Sequence, residues 1–139
     1  AVLEIARRKA ECDRVDIDWR QAMGDELEAC LGETRASAIT SSLVLHQCPM
    51  LMKASILASM RAVLAESGRL ALADYGEQRT FLMRLLFRQV QQLDGFENTT
   101  PNARGALPRL ISEAGFSEVV EFRCLPTPTG SISLFRAVR

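Results

Sequence analysis

The sequence predicts an α/β fold with a mostly parallel sheet and an antiparallel C-terminal hairpin, and three observations carry that prediction. Residues 36–75 read strand, short loop, helix, turn, strand. Between the two strand-length runs the apolar residues recur with helical spacing, which is the pattern of two parallel strands joined by a crossover helix. At the end of the chain, two more strand-like runs flank a connector that carries Pro126, Pro128 and Gly130.

Taken in order, Ala1 to Cys12 sets Val2, Leu3, Ile5, Ala6 and Ala10 among Glu4, Arg7, Arg8 and Lys9, an amphipathic helix of about three turns. Val15-Asp16-Ile17-Asp18-Trp19 alternates strictly, which predicts a half-exposed strand near 15–20 at a sheet edge. Asp25 precedes a short run, Glu26 to Leu31, that it is suited to cap. The run 36–42 predicts a buried strand that opens into Ser41, Ser42 and the only histidine, His46. From Met50 to Ala65, the residues Ile56, Leu57, Met60, Val63 and Leu64 fall on one helix face. Ser67-Gly68 predicts the end of that helix, because glycine takes the left-handed conformation without a Cβ clash.

A strand near 69–74 follows and ends in Asp74 and Tyr75. Two parallel strands with polar residues gathered at their carboxyl ends place a ligand crevice at that edge. Gly76 then breaks the chain, and a helix near 78–93 carries Phe81, Leu82, Leu85, Leu86, Val90 and Leu93 as a core-facing stripe. Its other face holds Arg79, Arg84 and Arg88. Asp94 to Asn102 is rich in turn formers and predicts a polar loop able to close over a substrate. Pro108 near the start and Gly115 just past the end frame a helix at 107–114. Strands near 118–124 and 131–138 complete the hairpin.

A chain of 139 residues fits one domain, 1–139, by the prior of roughly 100–200 residues per domain. Lys+Arg and Asp+Glu balance at 17 each, and no basic stripe alternates with aromatics, so no nucleic-acid partner is expected. No apolar run approaches the ~20 residues that span a bilayer. The chain therefore reads as soluble and cytoplasmic, with no membrane partner. Cys12, Cys30, Cys48 and Cys124 form no C-x-x-C pair and stand beside a single histidine, a set too sparse for a zinc site. They read as partly buried thiols, with a disulfide left open by the even count.

The run Thr40-Ser41-Ser42-Leu43-Val44-Leu45-His46, the helix with Lys53, Leu57, Met60 and Arg61 to Leu64, and the strand from Arg69 to Tyr75 together carry a resemblance. They are similar to the second half of a class I S-adenosylmethionine-dependent methyltransferase, a Rossmann-like fold. Ala114-Gly115-Phe116 before a strand fits the family's last helix and hairpin, so the resemblance covers nearly the whole chain. Two positions depart from the family wording: Ser37 stands where an aspartate is common, and Ala65 to Gly68 replaces a proline-glycine-glycine turn. A third departure is larger. The family's glycine-rich cofactor loop has no counterpart, since the glycines here are isolated. The chain reads as the C-terminal two-thirds of a methyltransferase domain, a partial sheet lacking the first two strands.

The resemblance implies S-adenosylmethionine as cofactor and a small molecule as methyl acceptor. It implies cofactor contacts from Ser41, Ser42 and Leu43, and acceptor contacts from Asp74 and Tyr75. Met23 occupies the slot of an acidic cofactor ligand, which leaves Asp25 as a displaced candidate. Methyl transfer from a sulfonium is an in-line displacement, which needs chiefly positioning of donor and acceptor and exclusion of water. A general base is needed where the acceptor is a hydroxyl, and His46 is the candidate for that role. A reading of another class stands beside the enzyme: a non-catalytic methyltransferase-like module for binding or oligomerisation. In the family order 3-2-1-4-5-7-6, the strand at 15–20 lies apart from that at 36–42. With the intervening strands missing, the expectation is that these two pair directly, or that a homodimer fills the gap in trans.

Overall fold

The computed structural model describes residues 2–139. It has six helices and four strands in the order α1 (Val2–Asp13), α2 (Leu27–Leu31), β1 (Ala36–Ser42), α3 (Met50–Val63), β2 (Leu64–Tyr75), α4 (Phe81–Asp94), α5 (Phe96–Ala103), α6 (Leu107–Glu113), β3 (Ser117–Thr127) and β4 (Gly130–Val138). A single 3-10 turn, Leu45–Gln47, links β1 to α3. The expected α1 holds, with Ala1 outside the described residues.

The four strands form one sheet in the order β1-β2-β4-β3. β1 runs parallel to β2, and the other two pairings are antiparallel. Strand alternation sorts the faces. Leu70 and Leu72 of β2 stand opposite Ala137 and Phe135 of β4, and all four are buried. Onto that face α3 brings Ile56, Leu57 and Met60, and α6 brings Leu107, Leu110 and Ile111. Each fully buried leucine or isoleucine contributes about 1.5–3 kcal/mol relative to an exposed one, so this layer is the principal apolar contribution to stability.

Four expectations are corrected. No strand forms at 15–20: Val15 and Ile17 are exposed, and Arg20 ties the segment to Asp18 and to the carbonyl of Cys30. Three alternating apolar residues, of which Trp19 alone is half-buried, give too little burial to hold an edge strand. The direct pairing with β1 therefore does not occur, and β1 pairs with β2 alone.

Gly68 does not cap α3. That helix ends at Val63, and Leu64 is already extended at φ −75°, ψ 148°. The register jumps from Ala36 opposite Leu64 to Ala38 opposite Arg69, so residues 65–68 bulge out of the strand. Gly68 is needed there for space. A Cβ at that position would lie 2.8 Å from the Ala65 carbonyl oxygen.

The expected stripe of α4 does not form the core. Phe87 and Val90 are buried, whereas Phe81, Leu82, Leu85 and Leu93 are exposed. Finally, 96–103 is helical despite Pro101. Burial of Thr99 and Asn102 and the side-chain bond from Thr99 Oγ1 to the Gly95 carbonyl at 2.7 Å outweigh the one backbone donor that proline removes.

The end of α6 matches its expectation in detail. Gly115 has φ +91°, its N–H donates to Ser112 O at 2.9 Å, and the Phe116 N–H reaches Ile111 O at 3.4 Å. This is the paired carbonyl capping of a Schellman motif, and it turns Phe116 into the core.

Candidate functional site at the carboxyl ends of β1 and β2

β1 ends at Ser42, and the chain turns through Leu43, whose φ of +56° is left-handed. Its N–H donates to Ala73 O at 2.8 Å, which fixes the turn against β2. The 3-10 turn then carries Leu45 and His46 inward, both buried. Opposite them β2 ends in Asp74, fully buried, and Tyr75, half-buried.

Asp74 is the hub. Its Oδ2 accepts from the Leu45 N–H at 2.7 Å. Its Oδ1 accepts from the Tyr75 N–H at 2.8 Å and lies 2.7 Å from His46 Nδ1. A carboxylate accepts only, so Nδ1 carries the proton and donates. The other ring nitrogen, Nε2, lies 3.3 Å from Oδ2 of Asp94 at the end of α4. The imidazole thus has a carboxylate at each nitrogen. The imidazole and the Tyr75 ring pack in a T-shaped arrangement with centroids 4.9 Å apart, and the Tyr75 hydroxyl is 2.7 Å from Thr129 Oγ1.

Lys53, on the second turn of α3, is fully buried beneath this cluster. Its ammonium donates to Asn98 O at 2.6 Å and Asn102 Oδ1 at 2.9 Å, with a longer contact to His46 O at 3.4 Å. Asn102 Nδ2 in turn donates to Tyr75 O at 3.0 Å. Burial pushes the Lys53 ammonium's pKa down, and the nearby Asp74 carboxylate opposes that shift. The Cys48 thiol is pushed up, first by burial, with Lys53 pulling the other way. α5 is therefore fastened to the turn after β1 and to the end of β2.

The site residues expected from the sequence divide into two groups. His46, Asp74 and Tyr75 come together. Ser41 and Ser42 sit at the strand end beside them, Ser41 half-buried and Ser42 exposed, and both line a concavity of about 400 Å³ with Ala71, Ala73 and Phe122. Asp25 joins none of these contacts. Its turn rests on the middle of α3, where Leu27 N donates to Ser59 Oγ at 3.0 Å and Gly24 abuts Ile56. Nor does Asp25 cap α2, whose N-cap position is Glu26 with no side-chain cap bond.

Lys53, Asp94, Asn98 and Asn102 are members of the cluster that the motif reading passes over. Lys53 leaves a signal: it precedes Ile56, Leu57 and Met60 at i+3, i+4 and i+7, so a charge falls on the buried stripe.

No protein-family model matches the chain, and no curated protein matches it. Solved structures do. An O-methyltransferase family protein from Burkholderia thailandensis superposes with TM-score 0.65 at 11% identity, over 98% of this chain and 40% of that one. Human N-acetylserotonin methyltransferase in complex with SAM gives 0.58 at 14% identity, over 88% and 34%. Magnesium protoporphyrin IX methyltransferase from Synechocystis with bound SAH gives 0.55 at 15% identity, over 86% and 49%.

The fold is that of part of a SAM-dependent methyltransferase domain, and the chain spans about a third to a half of the length of these structures. The order β1-β2-β4-β3 is the 4-5-7-6 half of the order that the resemblance implies.

Proposed function

We propose that the chain supplies part of the catalytic domain of an S-adenosylmethionine-dependent methyltransferase acting on a small-molecule acceptor. The observation that supports this most is the superposition of 98% of the chain on an O-methyltransferase family structure, with a polar cluster at the carboxyl ends of β1 and β2. The cofactor, when bound, supplies a methyl group activated on a sulfonium. Ser41, Ser42 and the Leu43 turn are the residues proposed to meet it, with Asp25 a more distant candidate. The accessible hydroxyl of Ser42 fits one polar edge of such a ligand. The Leu43 N–H is already committed to Ala73 O, so the serines carry that role.

His46 is proposed as the base for a hydroxyl acceptor. Asp74 holds Nδ1 and thereby aims Nε2 at the space beside Asp94, where an acceptor hydroxyl would exchange with the Asp94 carboxylate. Asp74 is fully buried, so its contribution is to orient the imidazole. Tyr75 would offer its ring as a wall for the acceptor. Pairing of the free β1 edge with a second copy is a further part of this proposal.

The second reading, a non-catalytic module, is favoured by one observation. Among the described residues no buried side-chain nitrogen or oxygen lacks a hydrogen-bond partner, so the cluster also suffices as a purely structural clasp.

Ultraviolet crosslinking of methyl-labelled S-adenosylmethionine to the chain, followed by peptide mapping, tests the enzyme reading. Label on the peptide holding Ser41 to His46, or on that holding Tyr75, is the expected result. Label confined to other peptides, or no label above an unrelated control protein, would overturn it.

A further inference from the structure

α4 buries Phe87 and Val90 but turns four other large apolar side chains away from the core. Phe81 is 80% exposed, Leu82 61%, Leu85 48% and Leu93 86%. At about 100° per residue these four share an arc of roughly 120° on the helix surface. Arg84 and Arg88 border that arc on one side, and with Arg79 and Arg104 they line a concavity of about 580 Å³ in which Glu77 is the acidic member.

The charges there are unequally matched. Arg79 is paired with Glu77 and Glu121. Arg84 donates to the uncharged carbonyls of Gln78 and Arg79, and Arg88 and Arg104 form no ion pair among the described residues. With Glu97, exposed on the first turn of α5, the carboxylates Glu77 and Glu121 stand against four arginines, Arg79, Arg84, Arg88 and Arg104. The balance remains positive.

We propose that α4 docks on an anionic bilayer surface, with Phe81, Leu82, Leu85 and Leu93 at the boundary of headgroups and acyl chains and Arg84, Arg88 and Arg104 on lipid phosphates. An amphipathic helix with leucine and phenylalanine beside arginines is the composition of an interfacial helix. Arginine stems lie along apolar surface while the guanidinium stays at the polar level. Antiparallel twofold pairing of two copies through the same arc would bring two basic borders to one rim, a like-charge arrangement that an anionic lipid surface replaces with attraction.

Among the described residues no helix is long and apolar enough to cross a membrane, so the proposed docking is on the surface. The expectation of no membrane partner rests on that same lack of a spanning run, which does not bear on surface docking. The proposal is independent of the methyl-transfer reading.

Cosedimentation of the chain with vesicles of phosphatidylglycerol and phosphatidylcholine, against phosphatidylcholine alone, tests it. Binding to the anionic vesicles is expected, together with a fall of about fivefold in partitioning for Arg88→Gln, the factor equivalent to ~1 kcal/mol per basic residue at such a surface. Leu93→Ser should also weaken binding while leaving the urea midpoint of this exposed position unchanged.

Three results would overturn the proposal. One is equal or no binding to the two vesicle types. Another is release from anionic vesicles by inorganic phosphate beyond that by chloride at equal ionic strength, which would make the pocket a free-phosphate site. The last is a vesicle-independent dimer that Leu93→Ser dissolves, which would give the face to a second copy.

Discussion

His46 Nδ1 and Asp74 Oδ1 lie 2.7 Å apart, and this contact joins the turn after β1 to the end of β2. Asp74 also accepts from the Leu45 and Tyr75 amides, so a single carboxylate satisfies three donors where water is excluded. Asp74→Ala would strand all three. Leaving a buried donor without its partner costs about 1–3 kcal/mol, and urea unfolding of Asp74→Ala should show a loss of at least that order. Asp74→Asn, which keeps an acceptor oxygen, should lose less. Equal midpoints for Asp74→Ala and the parent chain would contradict the hub role.

Lys53 predicts a pH dependence of opposite sign to that of a lysine gaining a carboxylate partner. Burial lowers its folded-state pKa, so between that value and the ordinary ~10.4 the unfolded chain binds more protons than the folded one. Stability from this group therefore rises with pH across that window, is complete above it, and is lost as pH falls through the folded value. Lys53→Met should flatten this part of the curve of urea midpoint against pH. Parallel curves for the two proteins would rule out the assignment.

Gly76 sits where β2 leaves the sheet, and a Cβ there would come within 1.9 Å of Ser133 Oγ and 2.5 Å of Ser133 Cβ. Gly76→Ala should cost about 1–3 kcal/mol, the usual range for overpacking. Removing the opposing side chain in Gly76→Ala/Ser133→Gly should recover part of it. Since Ser133 Oγ also donates to Glu121 Oε1 at 3.0 Å, the single Ser133→Gly change is needed to close the cycle. A coupling energy near zero would show that the backbone moves apart instead.

Helical and strand periodicity in residues 36–75, with the glycine after α6, made the central unit and the hairpin legible in the sequence. Where a segment's fate depended on distant partners, the sequence misled. Alternation at Val15 to Trp19 has no strand to pair with, and the apolar residues of α4 follow a helical stripe that the sheet does not cover. Residues 94–102 carry proline, glycine and asparagine, the marks of a loop. Yet Lys53, more than forty positions away, supplies the ammonium that holds them as a helix. His46, Asp74 and Tyr75 were readable as strand-end polar residues. The second carboxylate on the imidazole, Asp94, was not, because it arrives from the far end of α4.

In the proposed function the strand ends of β1 and β2 form one edge of a cofactor site. Titration of the isotope-labelled chain with S-adenosylhomocysteine, followed through its backbone amide resonances, tests this most directly. Weak, fast-exchange binding is expected, because the carboxyl-bearing end of the ligand meets no glycine-rich loop and helix N-terminus in these 139 residues. The moving amides should be those of Ser41, Ser42, Leu43 and His46, while those of Arg104 to Arg109 stay still. Shifts centred away from the ends of β1 and β2, or none at millimolar ligand, would contradict it.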